Sequence, residues 1–316
     1  MLDALYLAGG ITLILFSASW LVDGASSIAK RAGIPDMVVG LTVVAFGTSA
    51  PELSVNIFSA IKGSSGIALG NVFGSNICNI LLILGISAVI HPLPISNNTR
   101  WREIPFSLLA AVVIFIMIND RMTGSGAVDS VSRSDGLLLF CFFTIFLAYT
   151  FAIAFRGGID TGEDIKILPA WKSTLLVVAG LAGLFAGGRF LVDGAVSVAR
   201  IIGISEKVIG ITIIAVGTSL PELATSAVAA FKRKTDIAVG NVIGSNIFNI
   251  FLVLGTTSLI APLAPVQPVN VDIFITIFAS LMLFIVTITF KQHIVDRIEG
   301  VIFIAIYGAY ITYLLI

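Results

Sequence analysis

Charge is what this chain has least of. Asp, Glu, Lys and Arg make up 11% of its 316 residues, 18 acidic against 18 basic, where an average soluble domain carries about 25%. The balance is zero, which removes the case for a polycationic nucleic-acid surface and makes the place of each charge more informative than the total. Cysteine and histidine are nearly absent too: Cys78, Cys141, His91 and His293 are all there is. Both cysteines sit in apolar runs, and these four residues build neither a disulfide framework nor a Cys/His zinc cluster. What abounds is apolar, 57% of the chain. A soluble domain of this size has no core able to hide that much apolar surface, so lipid is the solvent for most of these side chains. An ordinary soluble enzyme is excluded.

Polar and breaker residues divide the chain into ten apolar stretches of about bilayer length: 4–29, 36–61, 66–91, 102–119, 136–155, 172–199, 206–231, 237–260, 270–290 and 298–316. They predict an all-α membrane protein of ten transmembrane helices. The first stretch is led by Asp3 with no Lys or Arg, so it reads as a mature helix rather than a signal peptide. Connections are short, the longest polar ones lying near 120–135 and 156–171, and no soluble domain is inserted. Basic residues are retained on the cytoplasmic side. Placing the N-terminus outside puts twelve of them there (Lys30, Arg31, Arg100, Arg102, Arg156, Lys166, Lys172, Lys232, Arg233, Lys234, Lys291 and Arg297). Five fall outside (Lys62, Arg121, Arg133, Arg200 and Lys207), and Arg189 lies within a span. Both termini are therefore expected outside, in a multi-pass protein of the cell membrane.

Sliding the chain against itself by 170 residues reveals an internal repeat. Residues 40–85 and 210–255 agree at 25 of 46 positions without a gap, including GTSAPEL (47–53) against GTSLPEL (217–223) and GNVFGSNICNI (70–80) against GNVIGSNIFNI (240–250). LVDGA at 21–25 and 191–195 carries the same offset into the preceding span. Five spans separate the copies. An odd number means that the second copy crosses the membrane in the opposite sense, an inverted-topology repeat of the kind that secondary transporters use. The units are residues 1–155, a short cytoplasmic connection at 156–171, and residues 172–316.

Burying a carboxylate in hydrocarbon costs several kcal/mol, about 3 or more, and four acids fall within spans: Asp23, Glu52, Asp193 and Glu222. Asp23 and Asp193 lie near helix ends, the latter one turn from Arg189, and read as structural. Glu52 and Glu222 lie deep, with no basic residue nearby in sequence, and need a cation from elsewhere. Pro51 and Pro221 lack the N–H that would bond the carbonyls of Gly47 and Gly217. With the backbone freedom of those glycines, each helix is expected to break mid-membrane, where irregular backbone lines cavities. Thr48, Ser49, Thr218 and Ser219 add neutral oxygens beside each acid. Asn71, Ser75 and Asn79, and Asn241, Ser245 and Asn249, recur at i, i+4, i+8 and form one polar stripe per helix. Ser75, Asn79 and their copies read as ligands; Asn76 and Asn246, off the stripe, read at least as well as interhelical hydrogen-bonding groups. Every candidate ligand is a hard oxygen, which suits calcium or sodium rather than zinc or copper. Two carboxylates match one divalent ion, and competition of several sodium ions for the same oxygens is antiport.

On these motifs the chain resembles the sodium/calcium exchangers of the cation/calcium antiporter superfamily, most of all the compact prokaryotic type, over essentially its full length. The resemblance implies ten helices in two inverted five-helix halves. It implies calcium bound by Glu52, Glu222 and the carbonyls of Thr48 and Thr218. Sodium would share these groups and add Ser49, Ser75, Ser219 and Ser245, the carbonyls of Ala45 and Ala215, and Asn79 and Asn249. It also implies three sodium ions per calcium. Asn249 stands where potassium-dependent members and several prokaryotic ones carry Asp, so potassium-independent exchange is expected. Calcium, sodium and the bilayer are the expected partners; no cofactor, nucleic acid or obligate protein partner is expected. A proton-coupled or potassium-dependent exchanger is the nearest alternative, and a passive cation channel is one of another class. No Ser–His or Asp–Asp pair of an intramembrane hydrolase is visible, so the chain does not read as an enzyme.

Overall fold

The computed structural model describes residues 2–124, 128–156, 167–203, 215–265, 269–289 and 293–315. Among these, eight helices are long and apolar enough to cross a membrane. They are α1 (Leu2–Ala32), α4 (Ser65–Ile90), α5 (Thr99–Ile118), α6 (Arg133–Arg156), α7 (Ala170–Ile201), α10 (Thr235–Ile260), α11 (Asn270–Thr289) and α12 (Arg297–Leu315). A further pair, α2 (Asp36–Thr48) and α3 (Ala50–Ile61), is long and apolar enough only when its two helices are taken together, bent by 43° at the break between them. Its counterpart in the repeat is the turn α8 (Ala215–Thr218) followed by α9 (Leu220–Phe231). Residues 204–214, which open the expected 206–231 span, and residues 157–166 of the expected 156–171 connection lie outside the described residues.

The helices begin at or up to three residues before the apolar stretches, three at Thr99 and Arg133, because charged residues at a membrane end continue the backbone ladder although they leave the hydrocarbon. α1 stops at Gly33 (φ 67°) and α3 at Gly63 (φ 70°), left-handed positions that glycine takes without a Cβ penalty. At the counterpart of Gly63 the chain carries Arg233 with φ 59°.

α1 and α7, the first helices of the two copies, pack along their lengths with little between them. A Cβ at Gly10 would stand 2.8 Å from Leu191 N, and one at Gly180 would stand 2.8 Å from Leu21 N. Leu21 and Leu191 are themselves 170 residues apart, so the contact is reciprocal. Small residues allow this approach where no hydrophobic effect drives helices together. At the centre stands α10, buried at every residue over 237–251. Around it the bundle turns its large side chains outward: Phe155, Phe231, Trp171 and Ile298 are each more than two-thirds exposed, the lipid-facing pattern of a membrane protein.

Two small β contacts clip the connections. Leu93 and Pro94 pair antiparallel with Val295 and Ile294, and Leu263, the counterpart of Leu93, bridges to Val131. Four acids within the helices was too few. Asp272 and Glu299 lie in the first turns of their helices and Glu103 lies just past the first turn of its own, and each carboxylate finds a nearby donor: Tyr149 OH for Glu103, Tyr310 OH at 2.9 Å for Asp272, and the N–H of Asp296 at 3.0 Å for Glu299.

Candidate functional site

The two helix breaks set the site. α2 widens into a π-type turn at Gly40–Val44, runs through Ala45 and ends at Ser49 (φ −82°, ψ 3°), after which Pro51 opens α3. The second copy breaks at Ser219 (φ −88°, ψ 7°) ahead of Pro221. In each case proline's missing N–H interrupts the ladder in the first turn of the new helix. The glycines before the breaks have another role than the expected backbone freedom. Gly47 and Gly217 sit in ordinary helical turns, and what they provide is room. A Cβ would come 2.5 Å from Leu181 Cδ2 at Gly47 and 2.5 Å from Val192 Cγ2 at Gly217. α4 and α10 also open into π-type turns, at Cys78–Ile83 and Phe248–Leu254, and these carry Asn79 and Asn249. Such wide turns recur at functional sites because they re-aim side chains and leave carbonyls under-bonded.

The copies interlock. Ser49 Oγ donates to Glu222 Oε1 at 3.2 Å, and Ser219 Oγ lies 3.4 Å from Glu52 Oε1 and 3.2 Å from Ser75 Oγ. Each glutamate is thus met by the serine of the opposite copy, and Ser75 adds a donor to Glu52 at 3.4 Å. The threonines follow the same rule. Thr48 Oγ1 donates to Asn241 Oδ1 at 3.0 Å and Thr218 Oγ1 to Asn71 Oδ1 at 3.3 Å. Asn241 Nδ2 then donates to Ser226 Oγ at 2.9 Å, and Asn71 Nδ2 to Asn56 Oδ1 at 3.0 Å. Asn71 and Asn241, first members of the polar stripes, therefore hold the threonine hydroxyls. Ala45 O accepts from Ser49 N at 3.0 Å, whereas Ser219 N bonds Val216 O at 3.1 Å, so the second break is wound one residue tighter at Ala215.

Glu52, Glu222, Thr48, Ser49, Ser75, Ser219, Ser245, Asn79 and Asn249 are all buried; Thr218 is half-buried. Five of their oxygens have no hydrogen-bond partner among the described residues: Glu52 Oε2, Glu222 Oε2, Asn79 Oδ1, Asn249 Oδ1 and Ser245 Oγ. Among the described residues neither glutamate forms an ion pair, and no group of three or more His, Cys, Asp or Glu side chains is placed to hold a metal ion. Buried, unpartnered oxygens of this kind are costly unless something positive meets them. The donor set is hard, oxygen-only and carries two carboxylates, which suits alkali and alkaline-earth cations.

The sequence profile of the sodium/calcium exchanger protein family matches residues 2–152 and 172–316, nearly the whole chain. The chain belongs to the sodium/calcium exchanger family. Among sequence relatives, this family member is 33% identical to the sodium/calcium exchanger MaX1 of Methanosarcina acetivorans over 96% of each chain. It is 39% identical to the inner membrane protein YrbG of Escherichia coli strain K12, over 80% of this chain and 78% of that one. Its fold superposes on a solved structure of the sodium-calcium exchanger NCX_Mj with a TM-score of 0.83, at 34% identity, covering 99% of this chain and 98% of the other. Like them it is a multi-pass helical membrane protein.

The structure brings Ser49 to Glu222, and Ser75 and Ser219 to Glu52, while Asn79 and Asn249 bond Asn246 and Asn76, and Ser245 is buried without a hydrogen-bond partner among the described residues. Reading along the chain missed Asn56 and Ser226, although each lies one helical turn beyond a site glutamate, on the same face. It also missed Lys232, which pairs with Asp23 from 209 residues away at 2.6 Å.

Proposed function

We propose that the protein is a secondary antiporter that exchanges sodium for calcium by alternating access. In this reading ten helices form two inverted five-helix repeats, with both termini outside the cell membrane. One observation carries it: two buried glutamates, one from each copy, interlocked by each other's serines and retaining an unpartnered oxygen apiece. Two carboxylates neutralise one calcium ion, with the carbonyls of Thr48 and Thr218 completing its oxygen shell. Sodium ions take the same glutamates together with Ser49, Ser75, Ser219, Ser245, Asn79, Asn249 and the carbonyls of Ala45 and Ala215. Since the two species draw on one set of oxygens, occupancy by one excludes the other, and counter-transport follows.

Three sodium ions per calcium moves one net positive charge, so the membrane potential contributes about 2.3 kcal/mol per 100 mV toward calcium extrusion. Asn249 leaves the site with two carboxylates rather than three, which supports exchange without potassium. Family membership and the likeness to MaX1 and NCX_Mj support sodium over protons as the coupling ion, as do the neutral oxygens beside each glutamate, which a proton does not need.

The test is purified protein in liposomes, with labelled calcium uptake compared under imposed sodium, potassium and proton gradients. Uptake driven by an outward sodium gradient and enhanced by an inside-positive potential is the expected result. Uptake driven only by a pH gradient, or flux without any counter-ion, would overturn the reading.

A further inference from the structure

We infer that Asn76 and Asn246 are positioning residues that fix the amide polarity of Asn249 and Asn79, so that both present carbonyl oxygen, and not NH2, to the transported cation. The inference rests on the exchange reading above. It starts from two backbone groups. Asn76 Nδ2 lies 3.3 Å from Asn246 O, and Asn246 Nδ2 lies 3.4 Å from Asn76 O. A backbone carbonyl can only accept, so the side-chain end facing it has to be the NH2 of each asparagine. That leaves Oδ1 of each as the remaining polar end, and Oδ1 can only accept as well. Asn246 Oδ1 takes its hydrogen bond from Asn79 Nδ2 at 2.9 Å, and Asn76 Oδ1 from Asn249 Nδ2 at 3.0 Å. With their NH2 groups so engaged, Asn79 and Asn249 keep Oδ1 alone, and these two oxygens are buried and unpartnered, as Glu52 Oε2 and Glu222 Oε2 are.

The polarity is therefore set by two main-chain carbonyls and relayed through one amide in each direction across the contact between α4 and α10. All four asparagines are buried, so no water competes for the relay. A lone ligating asparagine could turn its amide over and place two N–H donors against a cation; here that flip would set Nδ2 against nothing and Oδ1 against the oxygen of Asn246 or Asn76. Groups outside the ligand shell that orient a ligand in this way typically change metal affinity by about 10- to 100-fold when removed.

The experiment uses the full chain in liposomes. Asn246→Leu keeps the side-chain shape but removes the acceptor for Asn79. The sodium concentration for half-maximal calcium release is expected to rise by about 10- to 100-fold. Calcium–calcium exchange, which needs no sodium ligand from Asn79, should keep its half-saturation within about twofold. Asn76→Leu should act alike through Asn249. In an Asn79→Asp background both carboxylate oxygens accept and no amide remains to turn, so adding Asn246→Leu should give no further rise in the sodium requirement, a non-additivity expected only of coupled residues.

Unchanged sodium dependence in Asn246→Leu, equal shifts for sodium and calcium, or additive losses in the double variant would each overturn the inference. If Asn246→Leu does not fold, Asn246→Ala removes the same acceptor without the bulk of leucine and should raise the sodium requirement alike; an unchanged requirement there would count against the inference. Sodium-dependent thermal stabilisation, lost in Asn246→Leu, reads the same positioning without flux. Failure of the unaltered protein to exchange calcium for sodium would instead defeat the exchange reading.

Discussion

Lys232 Nζ stands 2.6 Å from Asp23 Oδ1 and donates to Ser19 Oγ at 2.7 Å, tying the residue just past α9 to the second half of α1. The residues at the 170-residue offset make no such tie. Lys62 has no ion pair among the described residues, and Asp193 faces Arg189 of its own helix at 3.8 Å. The two copies thus share a sequence and differ in this contact: Lys232 ties α9 to α1, and Lys62 makes no corresponding ion pair among the described residues. An exposed pair of this type contributes about 0–1 kcal/mol, enough to bias a conformational equilibrium and little enough to be released in each cycle. Cysteines at positions 23 and 232, joined by a reducible bifunctional thiol reagent in a protein lacking Cys78 and Cys141, should arrest calcium exchange. Reductant should restore it. Exchange that continues after complete cross-linking would show that this contact does not open.

Glu52→Gln and Glu222→Gln should each abolish sodium-driven calcium flux while the protein remains monodisperse and helical. Removing one charge leaves a divalent ion half-neutralised inside a low-dielectric bundle. Labelled calcium uptake in liposomes measures this; normal flux in either variant would contradict the assignment.

Gly47→Ala places a methyl group against Leu181, and Gly217→Ala places one against Val192. Overpacking of this kind costs about 1–3 kcal/mol, so both variants should unfold at lower temperature and turn over more slowly. Leu181→Ala should rescue the first and Val192→Ala the second. Equal loss with and without the second substitution would show that the glycine serves the backbone and not the neighbour.

Ser245 and Ser75 are counterparts with different surroundings. Ser75 bonds Glu52 and Ser219, whereas Ser245 Oγ has no partner among the described residues. Losing a hydroxyl that makes no hydrogen bond costs little, so Ser245→Ala should leave the unfolding temperature in sodium-free buffer unchanged. The stabilisation gained on adding sodium, which scales with affinity for the folded state, should shrink. A melting series with and without sodium decides it.

Calcium counterflux should proceed at the same rate with potassium or an inert organic cation on both sides. Counterflux that stops without potassium would mean that Asn249 does not exclude potassium from the cycle.

Much of the site was legible in the sequence because the repeat doubles every signal. Pro51 and Pro221 announce helix breaks, and the Asn, Ser, Asn spacing announces a polar face. What could not be read is which copy's groups meet. That Ser49 holds Glu222, and not the nearby Glu52, depends on how two bent helices cross, and spacing along one helix carries no information about that crossing. Lys232 and Asp23 are hidden for the same reason. Gly47 misled because a glycine before a proline reads as backbone licence, and its use as a slot for Leu181 appears only when α7 is in place. Glu103, Asp272 and Glu299 escaped notice because each sits at a helix entrance, where tyrosine hydroxyls or a backbone N–H make a carboxylate tolerable.

The central helix α10 is covered on every side over 237–251, while its counterpart α4 leaves Gly66, Ile67 and Gly70 uncovered. Exchanging those roles would cover one glycine-surfaced ridge as it bares a near-copy of itself. In the alternating-access reading proposed above, packing forfeited on one flank is regained on the other, so the two end states would lie close in free energy however large the movement between them. A machine built on such degeneracy needs no fuel of its own, and modest concentration differences of its cargo suffice to choose the direction in which it runs.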